Sequence, residues 1–401
     1  MKTDIAVVGG GLIGLATAYA VATSVPELTV TVLEAEAGLA KHQSGRNSGV
    51  IHSGVYYTPG SLKAQLCREG ARRLVEFCEI HGIAFDPCGK VIVATREEEL
   101  APLNAIAERG EANGLSGLRL LDQNGLTEIE PHVSGLAALS VPEAGVVDFT
   151  GVAQKLAELI AELGHDVLTE FRVSRIESTT DGFRISADTG RTVEAAYLIN
   201  CAGLQSDRIA RLAGQEPPVQ IIPFRGEYYV MPKERDHLVK HLVYPVPDPR
   251  FPFLGIHFTR RIDGSVEVGP NAVLALGRHH YRGEGKPSWR DMREMLGSPA
   301  LWRLGAKYWR TGGSEAIRSR SKKLYAAAAR ELIPEVTATD LIRGGSGIRA
   351  QAVARDGSLA DDFVIVESDT SVHVLNAPSP AATACLTIGD RIASRLLAKR
   401  R

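Results

Sequence analysis

The 401-residue chain lacks most of the features that would set it outside the ordinary globular enzymes. Neither charge is in excess: 46 Lys and Arg stand against 47 Asp and Glu, a net of −1. No basic field recruits nucleic acid, and no base-reading motif is present. The five cysteines (Cys67, Cys78, Cys88, Cys201 and Cys385) are odd in number and lack CxxC spacing. That excludes a disulfide framework and predicts reduced thiols, with no metal site expected. No run approaches the ~18 uninterrupted apolar residues of a spanning helix, so any membrane contact is expected to be peripheral. Internal repeats and low-complexity tracts are absent. The first motif begins at residue 5, leaving no room for a cleavable leader and suggesting a bacterial cytoplasmic protein.

What is present begins with Ile5-Ala-Val-Val8, then Gly9-x-Gly11-x-x-Gly14, a helix-patterned stretch from Leu12 to Thr23, and Leu28-Thr-Val-Thr-Val-Leu33 ending on Glu34. This order predicts strand, glycine turn, helix, second strand and acid. Gly9, Gly11 and Gly14 are expected to let backbone N–H groups approach a pyrophosphate at a helix N-terminus. Glu34 is expected to accept hydrogen bonds from a ribose. The chain is therefore expected to bind a dinucleotide.

After Glu34 a loop rich in Gly, Ser, His and Asn runs from Gly38 to Gly54, a length that usually carries function. Helices are expected over Ser61–His81, Glu97–Asn113 and Val152–Leu163, and strands over Gly89–Ala94, Asp166–Glu177, Phe183–Ala187 and Tyr197–Cys201. Gln220–Met231, Leu254–Arg261 and Ser265–Leu276 alternate as antiparallel strands do. Ser288–Leu332 reads as helical and basic. Leu341 onward reads as Gly-rich turns, a β run Val372–Leu375 and a last helix Ala381–Lys399. The fold class is α/β, a Rossmann-like nucleotide domain assembled from residues 1–85, 145–215 and 340–401. An α+β substrate domain with an antiparallel sheet would be built from 86–144 and 216–339. A simple NAD dehydrogenase would run its parallel strands consecutively, so the interleaving favours FAD.

The blocks Lys41-His-Gln-Ser-Gly-Arg-Asn-Ser-Gly-Val-Ile-His-Ser-Gly-Val-Tyr-Tyr57, Cys201-Ala-Gly-Leu, Pro223-Phe-Arg-Gly-Glu-Tyr-Tyr229, Tyr244-Pro-Val-Pro-Asp-Pro249, Val268-Gly-Pro-Asn-Ala272, Gly347-Ile-Arg-Ala-Gln351 and Asn376-Ala-Pro-Ser-Pro-Ala-Ala-Thr383 carry a resemblance. Over essentially its whole length the chain resembles the FAD-dependent L-2-hydroxyglutarate oxidase/dehydrogenase family, a branch of the D-amino-acid-oxidase-like flavoproteins. Cys385 stands where a serine or other small residue is expected and reads as neutral packing. The resemblance implies oxidation of L-2-hydroxyglutarate to 2-oxoglutarate, a hydride passing from C2 to flavin N5 while a base takes the hydroxyl proton.

The reaction asks for a base and for cations. His52, in the loop expected to pass the flavin, and His257, on an expected polar strand face with Gly255 and Thr259, are the candidate bases; either serves, with the other as donor. The alternatives are a turn histidine and an exposed strand histidine. Arg349 is expected at the C1 carboxylate, with Tyr244 as a neutral donor. Arg225 and Lys63 are weaker candidates for the distal carboxylate, against solvated surface charges. On the cofactor side Ser44, Asn47 and Ser48 are expected to donate to phosphate or flavin. Val173 resembles the position whose backbone meets adenine. Gly203 opens the turn that follows the returning strand. Gly347, Ser379, Ala381, Ala382 and Thr383 would close the flavin's pyrimidine end.

A basic, aromatic segment holds Trp302, Arg303, Lys307, Trp309, Arg310, Arg318, Arg320, Lys322, Lys323 and Tyr325. It is either an anionic-lipid surface that hands electrons to a membrane quinone or a solvated face with core tryptophans. Competing functions are a related oxidase for an amino acid or glycerol 3-phosphate and a flavin-binding protein without turnover. Oxygen or quinone as acceptor, the flavin's attachment and the oligomeric state stay open.

Overall fold

A computed structural model of the protein describes residues 1–248, 255–307 and 321–399. Lys2–Val8 is the central strand, apolar and buried over Ile5–Val8, with its last residue at the edge of a cavity. It pairs in parallel with Val30–Leu33 on one side and Thr192–Asn200 on the other. Asp166–Leu168 extends the sheet beyond Val30–Leu33, and Ser371–Asn376 extends it beyond Thr192–Asn200, both in parallel. An antiparallel hairpin, Val173–Thr179 and Gly182–Ala187, leans on the first half of Thr192–Asn200, and Val364–Glu367 closes the far edge. Strands from three distant stretches of chain thus form one eight-stranded sheet.

Helices Leu12–Ser24, Phe149–Glu162, Leu62–His81 and Cys385–Leu397 bury their apolar residues against one face of this sheet in a single core. Leu12–Ser24 (LIGLATAYAVATS) is apolar nearly all round, as a helix covered on several sides must be. Leu62–His81 has both ends written in sequence: the Ser61 side chain accepts from the Ala64 N–H, and Gly82 closes it in the left-handed region at φ 63°.

The second sheet has nine strands. Its spine is the long pair Val219–Val230 and Ile342–Ala354, antiparallel from Val219↔Ala354 to Val230↔Ile342. Val266–Gly269, His257–Arg260 and Leu242–Pro245 follow in antiparallel order. Lys90–Ala94 then joins in parallel to Leu242–Pro245 and carries Ala137–Val141 and Arg119–Asp122. A small sheet of Val50–Ile51, Gly145–Val147 and Phe85–Asp86 lies where the long loop returns.

Several expectations are corrected. Asp166–Glu177 is two strands in different pairings, separated by a turn in which Glu170 takes φ 53°. Ser265–Leu276 breaks at Pro270, which has no N–H for the ladder. The Gly-rich stretch after Leu341 is the strand Ile342–Ala354, so it leaves the 340–401 block and belongs to the second sheet. Its glycines allow close passage: a Cβ on Gly347 would sit 2.3 Å from the Arg46 carbonyl oxygen. The last helix starts at Cys385, and 381–384 form the turn before it. The basic segment is not one surface: Trp302 is exposed while Tyr325 is wholly buried, its hydroxyl donating to the Val268 carbonyl. Trp309, Arg310, Arg318 and Arg320, Pro249 and the start of the Leu254 strand lie outside the described residues.

Where the first and last helices cross, a Cβ on Gly389 would meet backbone atoms of Ala16 at 2.6 to 2.7 Å. Gly389→Ala is expected to cost about 1–3 kcal/mol by forcing the helices apart, read as a lower midpoint in denaturant titration with an unchanged slope.

Candidate active site

The glycine turn leaves Lys2–Val8 and enters Leu12–Ser24 with Gly11 at the N-cap, which has no side chain of its own to cap the helix, and no acid occupies the first turn. Gly11, Leu12 and Ile13 face a continuous cavity of about 1600 Å³, above the roughly 300–1,000 Å³ of a pocket for one small ligand. Gly9 takes φ 115°, and a Cβ on it would strike the Cys201 carbonyl at 2.5 Å. Gly14 corrects the sequence reading. It does not line the cavity, and a Cβ there would lie 2.0 Å from the Gly9 carbonyl oxygen. Its bareness seats the helix on the turn instead of exposing N–H groups to a ligand.

Glu34, at the tip of Val30–Leu33, accepts from the Gly10 N–H at 2.6 Å and the Glu36 N–H at 2.8 Å while lining the cavity. Ser44 Oγ accepts from the Leu12 N–H at 2.9 Å. The Asn47 side chain is committed to its own loop: it donates to the Gln43 and Ser44 carbonyls and accepts from the Gly49 N–H. Ser48, Val173, Gly203, Gly347, Ser379, Ala381 and Ala382 also line the cavity. Thr383 does not; it is buried behind the wall, donating to the Val50 carbonyl and accepting from the His52 N–H, which ties the histidine loop to the last helix.

At the far end the second sheet contributes one polar face. Antiparallel register sets Tyr244 beside His257 and parallel register sets Lys90 diagonal to Tyr244. The Tyr244 and His257 rings lie 4.0 Å apart, and the Lys90 ammonium sits 4.2 Å from the Tyr244 ring centre. The Tyr244 hydroxyl is hydrogen-bonded to the Thr259 side chain. His257 Nδ1 lies 2.9 Å from the Gly255 carbonyl, so Nδ1 carries the proton and Nε2 keeps a lone pair. His52 enters from the opposite wall, its Nε2 3.3 Å from Ser379 Oγ.

Burial, joined by the charges of Lys90 and Arg349, pushes both His52 and His257 down to about 3. Both imidazoles are therefore neutral at ordinary pH. Arg349 lines the same cavity from the strand Ile342–Ala354, in register with Phe224, and does not emerge from a turn. Arg225 is one residue on, faces the other way, and is spent on the buried Glu227 at 2.8 Å and the His280 carbonyl. It does not reach the cavity. Lys63 does, with Asp361 at 3.9 Å.

The sequence reading missed Lys90, Tyr56, Tyr57, Tyr228 and Arg109. Tyr56, Tyr57, Tyr228 and Arg109 line the cavity, and Lys90 lies beneath it. Lys90 had a visible signal: a lysine heading the otherwise apolar strand Lys-Val-Ile-Val-Ala. Near the Glu34 end, Glu36, His42 and His279 bring potential ligand atoms within 4.8 Å of one another. His42 already bridges Tyr281 and Glu36, and the Arg172 guanidinium lies 2.8 Å from the same Glu36 oxygen. A divalent ion there would face that guanidinium.

A family model described as FAD dependent oxidoreductase matches residues 4–395. The chain belongs to that family. Among its relatives, the L-2-hydroxyglutarate dehydrogenase of Indibacter alkaliphilus is 49% identical over 98% of both chains. The mitochondrial L-2-hydroxyglutarate dehydrogenase of Homo sapiens is 44% identical, covering 98% of this chain and 88% of its own. The L-alpha-glycerophosphate oxidase of Mycoplasma pneumoniae, solved with FAD bound, superposes with a TM-score of 0.80 at 23% identity, over 99% of this chain and 95% of its own; at that identity the likeness is one of fold.

The cavity of this FAD-dependent oxidoreductase fits the cofactor on its own geometry. A helix N-terminus without an acid in its first turn, entered through glycines at closest approach, suits a pyrophosphate, and the volume exceeds what a small substrate needs.

The buried histidines also bear on stability. Their folded pKa values lie below 6.5, so between pH 6.5 and about 3 the unfolded chain binds protons that the folded one refuses, and stability falls as pH falls. His257→Asn is expected to remove part of that slope, up to about 1.4 kcal/mol per pH unit below 6.5, measured as denaturation midpoints at pH 7 and pH 5.

Proposed function

We propose that the protein oxidises L-2-hydroxyglutarate to 2-oxoglutarate with FAD. The observation that carries this reading is the meeting of two neutral histidines and Arg349 at one end of a cavity whose other end is the glycine turn. The names of the full-length relatives support the choice of substrate.

Gly9, Gly11 and the first N–H groups of the helix would hold the pyrophosphate, and Glu34 the adenosine ribose. Val173 would lie along the adenine, with Ser44, Ser48 and Gly203 beside the phosphates and ribityl chain. Gly347, Ser379, Ala381 and Ala382 would line the flavin. When bound, FAD supplies the acceptor for the C2 hydride.

The chain's own residues do the rest. Arg349 binds and orients the C1 carboxylate with its planar fork. His257, with Nδ1 held by the Gly255 carbonyl, presents Nε2 to the C2 hydroxyl and takes its proton as the C2–H bond breaks and the C=O bond forms. His52 and the Tyr244 plate position the hydroxyl. Lys63 is placed to meet an anion at the wall.

Anaerobic addition of L-2-hydroxyglutarate is expected to bleach the flavin band near ~450 nm, whereas the D enantiomer, sarcosine and glycerol 3-phosphate leave it. A flavin that stays oxidised with the L enantiomer overturns the substrate. His257→Asn is expected to slow that bleaching about 10²–10⁴-fold with FAD retained.

No helix among the described residues is long and apolar enough to cross a membrane. The exposed rings of Trp289 and Trp302 stand with Arg290, Arg293 and Lys307 on helices Trp289–Leu296 and 299–307. They support peripheral contact with anionic lipid, the position from which electrons would pass to a membrane quinone. The protein is expected to pellet with phosphatidylglycerol vesicles at low salt and to be released at high salt; no pelleting at low salt ends the idea.

A further inference from the structure

Lys90 is 2% exposed, on a strand between Ala137–Val141 and Leu242–Pro245. Its ammonium lies between two tyrosines of the cavity wall, 4.2 Å from the Tyr244 ring centre and 5.5 Å from that of Tyr56. The Tyr56 hydroxyl is buried with no hydrogen-bond partner. Among the described residues no carboxylate forms an ion pair with Lys90, and the neighbouring thiols, Cys67 and Cys88, are pushed up by burial to about 12 and about 11, and so carry no negative charge. A buried cation without an anion is costly, and such groups persist where a ligand completes them.

The fixed positive side chains whose charge falls on both histidines are Arg349, lining the chamber, and Lys90, beneath its wall, while the histidines themselves are neutral; Lys63 and Arg109 also line the cavity. A 2-hydroxydicarboxylate carries two negative charges. We propose that Lys90 is a positioning residue whose charge, added to that of Arg349, makes this end of the cavity select a dicarboxylate over a monocarboxylate. It acts through the faces of Tyr244 and Tyr56 without touching the reacting atoms, since a cation behind an aromatic face still projects its field across a water-poor wall. The proposal rests on the substrate reading above and names the residue that reads the second carboxylate.

The groups facing Lys90 are Tyr56, Tyr244, Cys67, Cys88, His52 and His257, and Arg349 acts on the same two histidines. Burial raises the tyrosines and thiols and holds the histidines near 3. Lys90 itself is lowered by burial to about 8 and is the group of this set that titrates between pH 7 and 9.

The test uses FAD-loaded wild type and Lys90→Met with L-2-hydroxyglutarate and L-2-hydroxyvalerate, the same carbon chain without the second carboxylate. In the variant the ratio of kcat/KM values is expected to fall at least tenfold, chiefly through KM for the dicarboxylate. The flavin absorbance shift on adding 2-oxoglutarate, a readout without turnover, should need at least tenfold more ligand, while that with 2-oxovalerate is unchanged. In the wild type the ratio should fall as pH rises through about 8; in Lys90→Met it should be flat. Should the variant not fold or hold FAD, the wild-type profile decides alone. An unchanged ratio in the loaded variant, or a wild-type ratio flat from pH 7 to 9.5, overturns the proposal. A wild type that L-2-hydroxyglutarate does not reduce overturns the substrate reading instead.

Discussion

The pairing of Lys2–Val8 with Thr192–Asn200 is the constraint on which the molecule depends. Ile5–Val8 of the central strand are locked between Val30–Leu33 and a strand some 190 positions away, and the stretches in between must leave the sheet and come back. Closing so long a loop costs entropy that grows only slowly with length, so an excursion this large is tolerated once the ladder and its core are made. The excursions build the wall with Lys90, and the chain after residue 200 builds the strands with Tyr244, His257 and Arg349.

The two sheets are joined by buried charge as well as by chain. Asp207, in the helix Ser206–Leu212, is wholly buried and receives both terminal nitrogens of Arg278, which also donates to the Leu204 carbonyl. Arg208 from the same helix holds Asp291 and Glu294. Losing one partner of such a pair strands the other in a dry site, so these contacts fix orientation more than they add stability. The His42–Tyr281 contact clamps the same excursion to the long loop. The cavity between the sheets has defined walls for this reason, and at its far end burial and the charges of Lys90 and Arg349 keep two histidines neutral.

The local elements were legible where a short-range rule governed them. The turn from Gly9 to Gly11, the helix from Leu12 and the capped helix after Ser61 follow from glycine chemistry, apolar patterning and a serine cap, all short-range effects. The stretch after Leu341 was misread because glycines that suit a turn also suit a strand passing close under the Arg46 carbonyl. Gly14 was placed at the pyrophosphate by motif, whereas its neighbour Gly9 makes it a packing glycine. Arg225 looked available until strand alternation turned it toward Glu227, and Lys90 was passed over because an apolar strand conceals which face its leading residue takes.

The sequence by itself determined the strand, glycine turn and helix that open an FAD-binding fold and the α/β class, and it offered His52, His257 and Arg349 as candidates for a hydroxy-acid oxidation. These rest on residue type and near-neighbour spacing, which the chain carries explicitly. Only the tertiary structure decided which of those side chains share a cavity, that His257 offers Nε2, and that a lysine without a carboxylate partner lies beneath Tyr244. Those are properties of register between strands far apart in the chain and of the low dielectric their packing creates, and neither exists until the sheets have closed.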